Sequence, residues 1–217
     1  EHEQVTRVAR GDHRGRPGLT AALARDVSHR HDVHTRRCRL AGTVAVRGAK
    51  NAVLKHLVAS LLAPGRHRIS NVPGILDVEI MRRVLAHVGA ESFGAGDVLE
   101  IVVPTDLIPE APIHLVRQMR ASILVLGALL ARCGEARVAL PGGDDFGSRP
   151  IDMHIDGFEH MGARFELSHG VLLASAPEGL HGAEVYLEFP SVGATENLLL
   201  AGAMARGRTV IGNAARE

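Results

Sequence analysis

From Val44 onward the apolar positions alternate between a helical and a strand period. Val53, Leu54, Leu57, Val58, Leu61 and Leu62 recur at helical spacing and predict a helix with one buried face. It opens at Gly48-Ala49-Lys50-Asn51 and ends near Pro64-Gly65. A second helix opens at Met119-Arg120-Ala121-Ser122 and ends near Cys133-Gly134. Its stretch from Ile123 to Leu130 is apolar nearly all round, which predicts burial on every side. A third opens at Val192-Gly193-Ala194-Thr195 and ends near Arg206-Gly207. A short strand follows each helix: Arg66 to Ser70, Ala136 to Leu140, and Thr209 to Ile211.

The pattern is a repeat. Gly65, Gly134 and Gly207 stand 69 and 73 residues apart, and glycine is the expected residue past a helix end. His87-Val88-Gly89-Ala90 and His160-Met161-Gly162-Ala163 are 73 residues apart, and each closes a further helix ahead of a strand pair. The first pair includes Val98 to Val103; the second is Arg164 to Leu167 and Val171 to Ala174. The expected unit is strand–helix–strand–strand–helix–strand, about 70 residues long, in two copies and the start of a third. That is an α/β class unlike the helical solenoids, and buried helices within a ring of sheets would satisfy it.

Composition narrows the classes. With 217 residues, 46% apolar and 23% charged, the chain can bury a core and is not disordered throughout. No run of about 18 apolar residues occurs, so no membrane span is expected. A net charge of +1 with 3% aromatic residues argues against nucleic acid as a partner. Two cysteines, Cys38 and Cys133, make neither a disulfide framework nor a zinc cluster. Residues 1–39 hold nine of the arginines and five acidic residues. This basic stretch is either an arm for an acidic partner or a poorly ordered terminus. Its apolar cluster at Leu19 to Leu23 is too short for a secretory signal.

Candidate chemistry sits at the helix starts. Lys50 and Arg120 place a cation at equivalent points of two repeats, although the partial positive charge there disfavours cations by about 0.3–1 kcal/mol. Free N–H groups with an added cation make an anion site; the alternative is a simply solvated side chain. Ser191-Val192-Gly193-Ala194-Thr195 opens the third helix with small residues that let an anion approach the backbone. Pro141-Gly142-Gly143-Asp144-Asp145-Phe146-Gly147-Ser148-Arg149-Pro150 is a glycine-rich loop presenting two carboxylates and an arginine. Arg149 suits phosphate or carboxylate. Asp144 and Asp145 could instead bind a metal with Asp152 or His154, though the spacing matches no metal motif, or form an ordinary turn.

Together these stretches resemble the enolpyruvyl transferases, in particular the branch whose acceptor is UDP-N-acetylglucosamine. The resemblance rests on Gly-Ala-Lys-Asn at 48–51, Met-Arg-Ala-Ser at 119–122, the loop at 141–150, Ser-Val-Gly-Ala-Thr at 191–195 and Asn-Ala-Ala-Arg-Glu at 213–217. It covers the chain from about Val33 to Glu217, roughly the first half of a family member by repeat count. It implies an inside-out α/β barrel of repeated βαββαβ units, helices inside and sheets outside, truncated here. The implied domains are a basic arm at 1–32, a strand segment at 33–48 that normally joins a second domain, and a three-repeat domain at 49–217 whose third repeat is incomplete.

The resemblance also implies a reaction: transfer of the enolpyruvyl group of phosphoenolpyruvate to the 3′-hydroxyl of UDP-N-acetylglucosamine, with release of phosphate. This is the first committed step of peptidoglycan synthesis, hence of wall growth, cell shape and division, in the bacterial cytoplasm. No cofactor and no metal are expected. By position, Lys50 and Asn51 would contact phosphoenolpyruvate. Arg120, Arg149, Pro150, Ile151, Asp152, Met153, Ser191, Val192 and Gly193 would hold the UDP-sugar. Asp144 stands where most members carry a cysteine that protonates the substrate's C3 methylene carbon, and some members carry aspartate. A free carboxyl titrates near 3.9, so apolar surroundings or a like charge such as Asp145 would have to raise it. Fosfomycin, which alkylates the cysteine, should not react. Phe189 stands where many members have a lysine, a departure at one contact to the diphosphate. Because the resemblance stops short of the family's second domain, this exact chain is expected either to be inactive or to be a fragment of a longer enzyme. The alternatives are the sister enzyme acting on shikimate 3-phosphate, or a non-catalytic paralogue that binds UDP-sugar.

Overall fold

Wherever the apolar period is helical the chain coils, and wherever it alternates it pairs into small antiparallel sheets. The computed structural model describes residues 42–94, 96–141 and 151–216. In chain order the elements are α1 (Lys50–Ala59), β1 (Gly65–Ser70), α2 (Leu76–His87), β2 (Glu91–Phe93), β3 (Val98–Val103), α3 (Ile113–Val116), α4 (Val125–Cys133) and β4 (Glu135–Ala139). There follow α5 (Asp152–His160), β5 (Arg164–Ser168), β6 (Val171–Ser175), β7 (Glu184–Tyr186), α6 (Val192–Gly202) and β8 (Val210–Gly212). Single 3₁₀ turns extend α1 at Ser60–Leu62 and precede α4 at Arg120–Leu124.

The repeat is visible in the pairing. The first sheet has strand order β1-β3-β2 and the second β4-β6-β5, each antiparallel with its last strand in the middle. Gly65 faces Val103 and Ser70 faces Val98 in the first; Glu135 faces Ser175 and Ala139 faces Val171 in the second. A third unit begins with β7 and β8, which pair in parallel across α6. A single parallel bridge between Glu110 and Arg137 is the matching contact ahead of α4. The distribution of strands differs from the expected order. One strand lies between the two helices of a unit and two follow the second helix, so the order is strand–helix–strand–helix–strand–strand. The link from Ser70 to Leu76 is too short for another strand, while β5 and β6 close through a tight turn.

Helix α4 is buried from Val125 through Leu130, as its unbroken apolar run predicts. It packs against α6, β4 and the turn after α1. Helix α1 buries only Val53, Leu54, Leu57 and Val58, the predicted stripe, with Leu61 buried in the following turn. Each such leucine, fully removed from water, contributes about 1.5–3 kcal/mol. The strands alternate: Leu99, Ile101 and Val103 of β3 point inward, as do Leu172 and Ala174 of β6. Helices therefore lie inside and each sheet covers them on one face.

Gly134 ends α4 in the left-handed conformation (φ 72°), donating its N–H to the Leu130 carbonyl at 3.0 Å. Gly65 and Gly207 also have positive φ, but neither sits directly at a helix end: α1 passes into its 3₁₀ turn and α6 stops at Gly202. Arg132, near the end of α4, donates to the carbonyls of Leu61 at 2.6 Å and Thr105 at 2.7 Å, joining the first unit to the second. Residues 42–47 are exposed and carry no strand; the rest of the segment expected as a strand, residues 33–41, lies outside the described residues.

Candidate functional site

Three units bring three helix starts to one cavity. It has a volume of about 310 Å³, and its wall includes Asn51 of α1, Arg120 of the second 3₁₀ turn, His154 of α5, and Ser191, Val192 and Gly193 at the start of α6. The backbone sets this up. Ser191 caps α6, its Oγ accepting from the Ala194 N–H at 3.3 Å, while its carbonyl accepts the first intrahelical bond from Thr195 at 3.0 Å. The N–H groups of Val192 and Gly193 lie ahead of that bond and have no helical acceptor. A Cβ added to Gly193 would come 3.4 Å from the His154 imidazole, an ordinary contact distance, which places the ring edge beside this helix start.

The electrostatics favour an anion. Arg120 is half-buried beside His154, and the end of α6 adds partial positive charge. Glu196 also lines the cavity, but it forms a part-buried ion pair with Lys55, which offsets its charge. His154 is 3% exposed, and its pKa is lowered to about 4, first by burial and then by Arg120, with Asp152 opposing. It is therefore neutral at physiological pH.

Not every expected residue meets here. Lys50 opens α1, but its side chain is 61% exposed and pairs with Asp77 of α2 at 2.5 Å. Asn51 beside it does line the cavity. Ile151 and Met153 are buried at the start of α5. Asp152 is exposed, and its Oδ1 accepts from the Met153 N–H at 2.9 Å. Asp144, Arg149 and Pro150, with the metal alternative at Asp144 and Asp145, lie outside the described residues.

Sequence reasoning gave no weight to Glu196 or Asn197, and treated His154 only as a possible metal partner. Asn197 is fully buried in the middle of α6, within the run Asn197-Leu198-Leu199-Leu200. A polar amide in an apolar helix is the signal that could have found it, because a buried amide needs partners. It has them: Oδ1 accepts from the Gly127 N–H at 2.9 Å, and Nδ2 reaches the Ile123 carbonyl at 3.0 Å and His154 Nδ1 at 3.0 Å. Gly127 permits this approach, since a Cβ there would stand 2.4 Å from the Asn197 Oδ1.

The fold has solved relatives. The enolpyruvyl transferase NikO from Streptomyces tendae superposes with a TM-score of 0.67 at 23% identity, over 81% of this chain and 41% of that one. EPSP synthase from Acinetobacter baumannii does so at 0.64 and 19% identity, over 78% and 40%. The EPSP synthase family model (3-phosphoshikimate 1-carboxyvinyltransferase) matches residues 35–217. The chain belongs to this family of enolpyruvyl transferases. Among curated relatives, the UDP-N-acetylglucosamine 1-carboxyvinyltransferase of Mycobacterium leprae is 55% identical over 179 residues, 82% of this chain and 43% of that protein. The protein of that name from Gluconacetobacter diazotrophicus is 55% identical over 182 residues, again 82% and 43%. The chain thus spans less than half the length of these relatives. No described helix is long and apolar enough to cross a membrane.

Proposed function

We propose that this chain carries the first part of an enzyme that transfers the enolpyruvyl group of phosphoenolpyruvate to the 3′-hydroxyl of UDP-N-acetylglucosamine. The observation that carries the reading is the convergence of Asn51, Arg120 and the start of α6 on one anion-favouring cavity. The relatives named for this reaction, at 50–55% identity, support it.

In this reading the start of α6, with Ser191, Val192 and Gly193, holds the diphosphate with Arg120. Arg149, Pro150, Ile151, Asp152 and Met153 shape the nucleotide side. Lys50 and Asn51 meet phosphoenolpyruvate, which requires Lys50 to leave Asp77 or share it with the ligand. Asp144 protonates C3 of phosphoenolpyruvate while the sugar 3′-oxygen attacks C2 and gives up its hydroxyl proton to solvent. The tetrahedral adduct then loses phosphate and a C3 proton, restoring the double bond. Fixed cations stabilise the departing phosphate without reorganisation, the kind of electrostatic preorganisation that dominates such steps. The product feeds peptidoglycan synthesis in the bacterial cytoplasm.

A second reading follows from the family model's own description, in which the acceptor is 3-phosphoshikimate. Calorimetric titration of the chain with UDP-N-acetylglucosamine and, separately, with shikimate 3-phosphate decides between them. Binding of the UDP-sugar alone is expected; binding of shikimate 3-phosphate alone overturns the reading.

A further inference from the structure

The buried amide of Asn197 has a role beyond packing. The Gly127 N–H can only donate, so the atom it meets is the amide oxygen, and the orientation of the side chain follows. Nδ2 then carries two hydrogens. One goes to the Ile123 carbonyl, which can only accept, and the other points at His154 Nδ1, 3.0 Å away. Nδ1 must present a lone pair, and a neutral ring with a bare Nδ1 bears its proton on Nε2. The Nε2 edge faces Gly193 at the start of α6, and among the described residues nothing accepts from it. We propose that Asn197 is a positioning residue which sets the His154 tautomer, so that Nε2–H becomes a neutral donor to the ligand in the cavity.

The ligand's identity, a diphosphate, rests on the function proposed above; the tautomer does not. The lowered imidazole pKa fits the same arrangement, because protonating Nδ1 would set two N–H groups against each other. The charged groups around the ring are Arg120, Asp152 and Glu196 with its partner Lys55. A neutral donor can bind an anion without adding a second buried charge.

Long-range ¹H–¹⁵N correlation of the imidazole nitrogens in the labelled chain tests this. At pH 7 His154 is expected with Nε2 protonated and Nδ1 bare; a proton on Nδ1 overturns the proposal. Asn197→Asp keeps the shape and the acceptor for Gly127 and, in its ionised form, cannot donate to Nδ1. It should bring a proton onto Nδ1, and an unchanged spectrum in that variant overturns the assignment. Titration with UDP as probe supplies the second arm. Asn197→Leu and His154→Phe should each weaken UDP binding about tenfold, the scale of one hydrogen bond to a charged group. The double variant should lose no more than either alone. Additive losses would mean that Asn197 only holds the helices together, against the proposal. An Nε2–H signature in a wild-type chain that fails to bind UDP supports the tautomer assignment and rejects the sugar-nucleotide reading.

Discussion

The first and second units share a sheet order, a helix scaffold and a cation at the helix start, yet they place that cation at different depths. In the first, Lys50 stands at the surface and is matched by a carboxylate on the neighbouring helix, Asp77. In the second, Arg120 is half-buried against the cavity, beside a neutral histidine and the opening turn of α6. Their central helices differ likewise: α1 buries one stripe, α4 every side from Val125 to Leu130. Helix α4 packs against α6, β4 and the turn after α1, whereas α1 packs mainly against α2. Equivalent positions in a repeat therefore share geometry but not dielectric environment, and it is the environment that sets what a charge can do.

The largest expected effect belongs to Asp144. In the full-length enzyme of the proposed function, Asp144→Asn should lower turnover by about 10²–10⁴, the usual range for a general acid, while UDP-N-acetylglucosamine binding stays unchanged. Phosphate release and calorimetry read the two separately, and retained turnover removes Asp144 from the proton donor role. The same site should form no adduct with fosfomycin, which intact mass spectrometry checks.

Next comes the helix contact that encloses Arg120's unit. Gly127→Ala places a Cβ 2.4 Å from the Asn197 Oδ1 and 2.6 Å from a backbone oxygen. Overpacking of this kind costs about 1–3 kcal/mol, read as a lower urea midpoint. Leu129→Ala in the same helix should cost about 2–5 kcal/mol, whereas Leu199→Ala, on the 58% exposed side of α6, should stay within about 0.5 kcal/mol. Equal losses at the two leucines would contradict the burial that separates them.

His154 gives the second unit a pH dependence. Its folded pKa of about 4 lies below the unfolded value near 6.5, so the unfolded chain binds the proton first. Its contribution is unimpaired above pH 6.5 and falls by about 1.4 kcal/mol per pH unit as pH drops toward 4. Denaturation at pH 7.5, 6 and 5 should show that slope, and His154→Phe should flatten it. The smallest effect is at Lys50. Lys50→Met should change stability by less than about 1 kcal/mol, as for other exposed ion pairs, and a thermal midpoint shifted by more would mean that the first unit is not the open one.

Much of the fold was legible. The strand Val98–Val103 was placed to the residue, and β1, β4, β5, β6 and β8 to within a residue, because alternation in a one-sided sheet leaves little freedom in register; β2 was given no bounds and the short β7 was not foreseen. The order of strands within the unit was not, since period alone does not say which strands share a connection. The third helix was drawn too long, to Arg206, because an apolar run carries no mark of where hydrogen bonding stops. At the site, Asn51, Arg120 and Ser191 to Gly193 were named and do converge. Lys50 lies outside that wall because Asp77, 27 positions away, holds it at the surface.

The sequence by itself determined the repeat, the buried and half-buried helices, the one-faced sheets and the helix starts where anions could bind. These are local properties: periodicity, glycine at turns, small residues at caps. Only the tertiary structure decided which helix starts share a cavity, that Glu196 is offset by Lys55, and that His154 is buried and neutral with Asn197 on its Nδ1. Those partners lie 141 and 43 positions apart along the chain. Spacing along a sequence carries no information about such pairs, because packing between units brings them together and burial then sets their charge.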